Sequence, residues 1–388
     1  MIGISRLYCG HAEDGDQLRY RRRDGVPSQP KPIVVWNCTR RCNLRCAHCY
    51  ASSEDAAGAG ELSDAQARAM MDDLAAFGAP VLLFSGGEPL LRPGVLELAR
   101  YARRAGLRVV FSTNGTLLTR DVAVAMHEVG VSYAGISLDG LEAVNDAFRG
   151  QAGAFERAVE GVRACRSAGV KVGLRLTMTR RNVDELGGVF GLIEREDIPR
   201  ACFYHLVPSG RGLADDALSH ERTRAAVDEI IGRTADLHAR GRRVQILTVD
   251  NHADGPFVWM RMVREGHAGA SEAEALLRRN GGNSAGSGIA CVSWNGDVFP
   301  DQFWRGRVLG NVTRRPFGEI WSDGGHEWLT QLRRRRELLT GRCRRCRWLP
   351  VCNGNLRARA DAAGDVWGDD PACYLTDEEI RQPVANSQ

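Results

Sequence analysis

Cys42-Asn43-Leu44-Arg45-Cys46-Ala47-His48-Cys49 is the stretch from which the rest of the chain can be read. It comes shortly after Ile33-Val34-Val35-Trp36, a continuous apolar run of strand length. Thiols spaced C-x3-C-x2-C in a chain of intracellular character are metal ligands rather than disulfide partners. Three cysteines leave a four-coordinate metal, or the last iron of an iron–sulfur cube, without its final protein ligand. A structural zinc site is closed by four ligands, so a three-ligand site reads as one kept open for chemistry. Cys38, within or just after the apolar run, is either a fourth ligand that closes the site or a buried thiol acting as a small hydrophobe.

The length of 388 residues suits a barrel with an appended module. A hydrophobic content of 43% with 26% charge is that of a globular enzyme with ample core material. No apolar run approaches the ~20 residues that span a bilayer. The opening Met1-Ile2-Gly3-Ile4-Ser5-Arg6 has no extended apolar signal region, so a cytoplasmic location is expected, with no membrane partner. Net charge is +4, and Lys31 and Lys171 are the only lysines. The arginine excess reads either as compositional bias or as a taste for carboxylate partners, which arginine grips in bidentate fashion. Nothing in the charge balance points to nucleic acid, and the run 333–336 is expected to be a solvated helix face.

Outward from the cysteine loop, strand-type runs alternate with helical periodicity. Helices are expected over 62–77, with Ser63 as N-cap and Gly78 as stop, and over 94–105, 120–129, 154–168 and 183–194. Strands are expected over 81–84, 108–112, 133–138, 170–178 and 202–207, which with 33–36 makes six. Such alternation is the signature of parallel βαβ units, whose chemistry collects at the carboxyl ends of the strands. Beyond Pro208 the pattern loosens into a long helix over 219–240, a candidate strand over 244–249 and a glycine-rich loop over 281–288. That loop offers backbone N–H groups to a carboxylate, or is a mobile lid. Of the 12 cysteines, a second group stands at Cys343, Cys346, Cys352 and Cys373. The division expected is a lead-in segment over 1–32, broken by Pro27, Pro30 and Pro32, then a barrel over 33–240. A connecting region over 241–290 and a cysteine-bearing domain over 291–388 follow.

With Gly86-Gly87-Glu88 after the second strand and Ser112-Thr113-Asn114-Gly115 after the third, the chain resembles the radical S-adenosylmethionine (SAM) superfamily. The resemblance implies an α/β fold, a partial (β/α)6 barrel. In it Cys42, Cys46 and Cys49 hold a [4Fe-4S] cluster whose open iron binds SAM. It further implies that Gly86, Gly87 and Glu88 meet the methionine end, that His48 packs near the adenine, and that Ser112 and Asn114 lie on the ribose side. Arg175, a charge inside the apolar run Val172-Gly173-Leu174-Arg175-Leu176, needs a partner: the SAM carboxylate or an internal acid. The second cysteine group resembles the SPASM/Twitch extension, which implies an auxiliary [4Fe-4S] cluster on Cys343, Cys346, Cys352 and Cys373. Zinc is the rival occupant, since C-x2-C pairs serve both metals. Asn353-Gly354-Asn355 and Asp301 stand where a two-cluster pattern has further cysteines, leaving Cys291 as a remnant or a substrate-side thiol.

The opening Ile2 to Gly10, Val34-Val35-Trp36-Asn37, Cys202 to Val207, 249–256 and 370–379 are similar to the tetrapyrrole-processing branch of that family. The implied activity belongs to haem biosynthesis. A 5′-deoxyadenosyl radical initiates loss of two acetate side chains from 12,18-didecarboxysirohaem, giving Fe-coproporphyrin III. A haem d1 relative removes propionates instead, and peptide-modifying SPASM maturases are a further alternative. An iron tetrapyrrole asks for cations, donors and an axial ligand. His205 and His252 are candidates for iron ligation or proton donation, and Arg211 for pairing a propionate. A reducing electron donor of ferredoxin or flavodoxin type is the implied partner.

Overall fold

The computed structural model describes residues 1–20, 31–56 and 58–381. Among them, 11 strands make one sheet. In chain order these begin with β1 (Ile2–Gly3), β2 (Ile33–Thr39), β3 (Val81–Gly86), β4 (Arg108–Thr113), β5 (Tyr133–Ser137) and β6 (Val172–Met178). They continue with β7 (Arg200–His205), β8 (Gln245–Val249), β9 (Ile289–Val292), β10 (Asp297–Phe299) and β11 (Gly310–Asn311). The spatial order is β1-β8-β7-β6-β5-β4-β3-β2-β9-β10-β11.

From β2 to β8 each strand pairs in parallel with the next. The apolar runs of β2 and β3 are buried along most of their length, as strands covered on both faces must be. Helices fill the crossovers, among them Asp64–Phe77, Val95–Arg104, Arg120–Val129, Ala154–Ser167 and Leu186–Arg195. Ser63 and Gln66 form a capping box at the start of the first of these, and Gly78 ends it at φ +84°. This is the (β/α) row expected from the periodicity. It is one strand longer, because Gln245–Val249 pairs parallel with β7. No helix of the described residues is long and apolar enough to cross a membrane.

Two expectations need correction. The opening residues carry regular structure: Ile2–Gly3 pairs antiparallel with β8, and helix Ile4–Cys9 buries Ile4, Ser5 and Leu7. Pro27 and Pro30 lie outside the described residues. The arginine run is not uniformly solvated either. Arg335 is 2% exposed, and its Nε donates to the Leu332 carbonyl at 2.6 Å. Its other nitrogens donate to the Asn283 side chain and the Ala285 carbonyl. Burial, helped by the neighbouring Arg357 charge and only partly opposed by Asp301, pushes this guanidinium down to about 10.

The 281–288 loop is therefore neither a lid nor a free row of donors. Its N–H groups are spent internally: Asn283 on the Cys352 carbonyl at 3.1 Å, and Gly286 on the Pro300 carbonyl at 3.0 Å. Arg335 holds the Ala285 carbonyl and the Asn283 side chain while Arg333 holds the Gly286 carbonyl, which is why a cation sits in that interior. Replacing Arg335 by Ala leaves buried carbonyls without donors and is expected to cost on the order of 3 kcal/mol. Arg334→Ala, at an exposed pair with Glu337, is expected to cost less than about 1 kcal/mol. Thermal and denaturant unfolding of the two variants measures the contrast.

Candidate active site

The cysteine loop leaves β2 and is gripped at once by the turn after β3. The Gly87 N–H donates to the Thr39 carbonyl at 2.8 Å, and the Glu88 N–H to the Arg41 carbonyl at 2.7 Å. A Cβ on Gly87 would lie 2.0 Å from the Arg41 oxygen, and one on Gly86 2.4 Å from the Thr39 oxygen. The glycines admit the loop's own backbone, a closer reason for their presence than approach to a ligand. Glu88 is fully buried and accepts from Thr113 Oγ1 at 2.8 Å, the Asn114 N–H at 2.8 Å and the Leu90 N–H at 3.1 Å. Burial pushes its carboxyl up to about 7 against those three donors. Glu88 thus ties the β3 turn to the β4 turn and does not itself line the cavity.

The three thiols each face a nitrogen donor. Cys42 Sγ accepts from the Leu44 N–H at 3.4 Å, Cys46 Sγ from Arg149 Nη1 at 3.4 Å, and Cys49 Sγ from the Ser53 N–H at 3.5 Å. Burial pushes the Cys42 and Cys46 thiols up, and the donors aimed at their sulfurs pull the other way, toward the thiolate that ligates iron. Arg149 also forms an ion pair with Asp139, which is fully buried and stands 3.5 Å from His48 Nε2. Burial holds the His48 ring down to about 4, so it is neutral at neutral pH. Its ring packs on Phe148, the centroids 4.7 Å apart.

Arg211 is placed otherwise than its expected role requires. Its Nε donates to the Cys46 carbonyl at 2.9 Å and its Nη1 to the Ser53 carbonyl at 2.8 Å. A Cβ on neighbouring Gly210 would lie 2.3 Å from the Cys49 carbonyl. The guanidinium is committed to the cysteine loop and does not line the cavity, so it anchors rather than meets a substrate.

Around the thiols lies a cavity of about 190 Å³. The strand ends supply its wall in sheet order: Ser85 and Gly86 from β3, Ser112 to Asn114 from β4, and Ser137 from β5. Arg175 and Thr177 follow from β6, Tyr204 and His205 from β7, and Asp250 after β8. Val35, Leu83, Val207 and Phe303 add apolar surface. Arg175 is half-buried; its Nε donates to the Tyr204 hydroxyl at 2.9 Å and its Nη1 to Ser112. Among the described residues it has no carboxylate partner, so the internal salt bridge is ruled out and a ligand's carboxylate fits. Asn114 Nδ2 reaches Asn43 Oδ1 at 2.9 Å and leans on Cys42.

His252 does not line this cavity. Its backbone N–H donates to Asn355 Oδ1 at 2.7 Å, its Nε2 stands 3.3 Å from the Met1 amino group, and burial holds it well below its ordinary range. A larger recess of about 450 Å³, lined by Arg6 to Gly10 and by His238 and His267, lies away from both cysteine groups.

Cys38 is fully buried among Trp36 and Phe84 in the main core, and burial pushes its thiol up to about 12. It stays out of the loop as a small hydrophobe. Cys291 is likewise buried, pushed up to about 12, with Asn37 Nδ2 at 3.5 Å. Cys343, Cys346, Cys352 and Cys373 line one apolar recess with Ala253, Trp348 and Leu375. All are free of disulfides. No group of three or more His, Cys, Asp or Glu among the described residues is arranged for a single metal ion.

Sequence reading missed Asp139, Arg149, Tyr204 and Asp250. Asp139 and Asp250 sit at strand ends, where the βα rule alone could have pointed. Asp250 carries a further mark, a φ of +66°. Arg149 closes helix Glu142–Arg149, a segment without a strong signal, and only the fold brings it to Cys46.

Sequence models for the radical SAM superfamily match residues 36–193, and for an iron–sulfur cluster-binding domain residues 284–347. The chain is 52% identical to Fe-coproporphyrin III synthase of Methanosarcina barkeri, across 98% of this chain and 99% of that protein. It is 44% identical to pre-heme d1 synthase of Dinoroseobacter shibae, across 90% of this chain and 88% of that protein. Native anSMEcpe with bound AdoMet has a similar fold, with a TM-score of 0.68 at 18% identity over 89% of this chain and 94% of the other.

The grip on the cysteine loop can be tested by opposite signs. Gly87→Ala drives a methyl into the Arg41 carbonyl and is expected to destabilise by about 3 kcal/mol or more. Gly191→Ala, mid-helix with nothing within 4 Å of its Cβ position, is expected to stabilise by up to about 1 kcal/mol. Unfolding of the metal-free protein reads both.

Proposed function

The chain belongs to the radical SAM superfamily and carries its iron–sulfur cluster-binding extension, and from that premise we propose that it removes two acetate side chains from 12,18-didecarboxysirohaem, forming Fe-coproporphyrin III. It is a radical SAM enzyme using a [4Fe-4S] cluster, SAM and auxiliary iron–sulfur chemistry. The observation that carries the specific reading is 52% identity, over nearly the whole of both chains, to a protein named for that product.

The residues proposed to hold the cofactors follow from their places in the site. Cys42, Cys46 and Cys49 take the open cluster, and Cys343, Cys346, Cys352 and Cys373 the auxiliary one. Gly86 and Gly87 border the methionine end, Glu88 braces their turn, and Ser112 and Asn114 face the ribose side, with His48 close to the adenine. Together, cluster and SAM supply a 5′-deoxyadenosyl radical that abstracts hydrogen from the substrate. Arg175 holds the SAM carboxylate, its geometry preset by Tyr204 and Ser112. The apolar surface of Val35, Leu83, Val207 and Phe303 suits a flat macrocycle and keeps water from a reactive centre. Asp139 and Arg149 keep Cys46 in place, and Arg211 pins the loop behind it.

The same proposal includes the division 33–240, 241–290 and 291–388, with β8 completing the strand row from the middle segment. It also includes a cytoplasmic location and a ferredoxin- or flavodoxin-type donor of electrons.

Cluster-reconstituted protein with reductant and SAM is expected to convert didecarboxysirohaem with formation of 5′-deoxyadenosine. Mass analysis should show loss of two acetate units. Loss of propionates instead would move the assignment to the haem d1 reaction, and turnover of neither would sink the tetrapyrrole reading. Arg175→Met removes a charge-assisted contact and is expected to weaken SAM binding by about 10- to 100-fold, read by titrating the SAM-dependent change in the cluster's EPR signal.

A further inference from the structure

One imidazole faces the cavity with a built support behind it. His205, the last residue of β7, lines the cavity while its Nε2 stands 2.9 Å from Asp254 Oδ2. Asp254 is fully buried, and its other oxygen accepts the Tyr374 hydroxyl at 2.7 Å. The carboxylate opens helix Asp254–Arg264, where the helix dipole favours negative charge. An ionised carboxylate only accepts hydrogen bonds, so it calls the ring proton to Nε2. Nδ1 then keeps its lone pair, and it makes no hydrogen bond among the described residues. A buried carboxylate behind an imidazole fixes tautomer and orientation and raises the basicity of the free nitrogen, the support that metal-ligating histidines have.

The support is fastened from two sides. Tyr374 adjoins Cys373 of the four-cysteine recess. Asn251 Nδ2 donates to the Ala372 carbonyl at 2.8 Å, and Asn355 Nδ2 to Asn251 Oδ1 at 2.8 Å. The turn carrying Asp254 is thus bolted to the cysteine-bearing domain, while His205 belongs to the strand row.

We propose that His205 Nδ1 is the protein ligand to the iron of the substrate macrocycle, with Asp254 and Tyr374 as positioning residues. This rests on the reading of the substrate as an iron tetrapyrrole. Ligation makes the substrate's iron a handle, fixing which face of the ring meets β7 and how far the ring plane stands from the SAM end of the cavity. Tyr204 is committed to Arg175, so the competing donor on this wall is the carboxylate of Asp250.

Ferric coproporphyrin III, added to holoenzyme with its clusters in their oxidised, EPR-silent state, tests the assignment. Wild type should convert the porphyrin's high-spin EPR signal to one typical of imidazole ligation. His205→Ala and His205→Gln should still bind porphyrin but lose that signature, with free imidazole restoring it in His205→Ala. Asp254→Asn should weaken ligation by about 10- to 100-fold, and Asp254→Glu should recover part of it. Tyr374→Phe should have a smaller effect of the same sign. Iron and sulfide content and melting temperature confirm that each variant is folded and loaded. An unchanged signature in both His205 variants overturns the proposal, as does its loss in Asp250→Ala with retention in His205→Ala. Failure of wild type to bind any iron porphyrin overturns the substrate reading itself, and the inference with it.

Discussion

Two backbone hydrogen bonds, from Gly87 to Thr39 and from Glu88 to Arg41, are the constraint on which the site depends. They require the backbone after β3 to lie against the backbone leaving β2 with no side chain between. Once that contact is made, the start of the cysteine loop has one available path. Its far side is held by the Arg45 and Ala47 N–H groups donating to the Arg149 and Phe148 carbonyls at 3.2 and 2.9 Å. Arg211 then caps the loop's own carbonyls. Each hydrogen bond contributes about 1 kcal/mol, so it is their convergence on residues 39–53 that holds three thiols in register.

A second consequence concerns charge. Grouping thiolates and their iron in a half-buried space asks for nearby cations and donors, and the fold supplies them sparingly. Arg149 donates to the Cys46 thiol, and its charge is balanced by Asp139. Arg175 makes no ion pair among the described residues, Asp250 acting on it only across the cavity wall, which leaves its donors to a carboxylate brought in by a ligand. Elsewhere many arginines pair with the chain's own carboxylates, as Arg163 with Glu196 and Arg224 with Glu379, while the buried Arg335 and Arg357 clamp carbonyls. Much of the arginine that composition leaves ambiguous thus serves the chain's own carboxylates and carbonyls.

The cysteine-bearing domain is joined to the cavity through the turn at 250–254. Asp250, Asn251, His252 and Asp254 sit within five residues, yet their directions differ. Asp250 faces the cavity, His252 faces the opening residues, and Asp254 lies behind His205. The polar character of the turn was plain from the sequence. Which residue faces the cavity was not, because the left-handed backbone at Asp250 redirects the chain.

By itself the sequence determined the strand–helix alternation, the parallel row and the two cysteine groups, because periodicity, capping and ligand spacing are local properties. It also placed Gly86, Gly87, Ser112, Asn114 and His205 at strand ends, where a βα fold gathers its chemistry, and marked Arg175 as a charge inside a strand. The tertiary structure alone decided that Cys38 is core, that Arg211 is an anchor and that the 281–288 loop is packed. It likewise brought Asp139 and Arg149 to Cys46, and Asp254 and Tyr374 to His205. Those assignments depend on which groups far apart in the chain share a buried space and satisfy one another's hydrogen bonds. Spacing along the chain does not encode them, since a donor's partner is chosen by packing and by the cost of leaving either group alone.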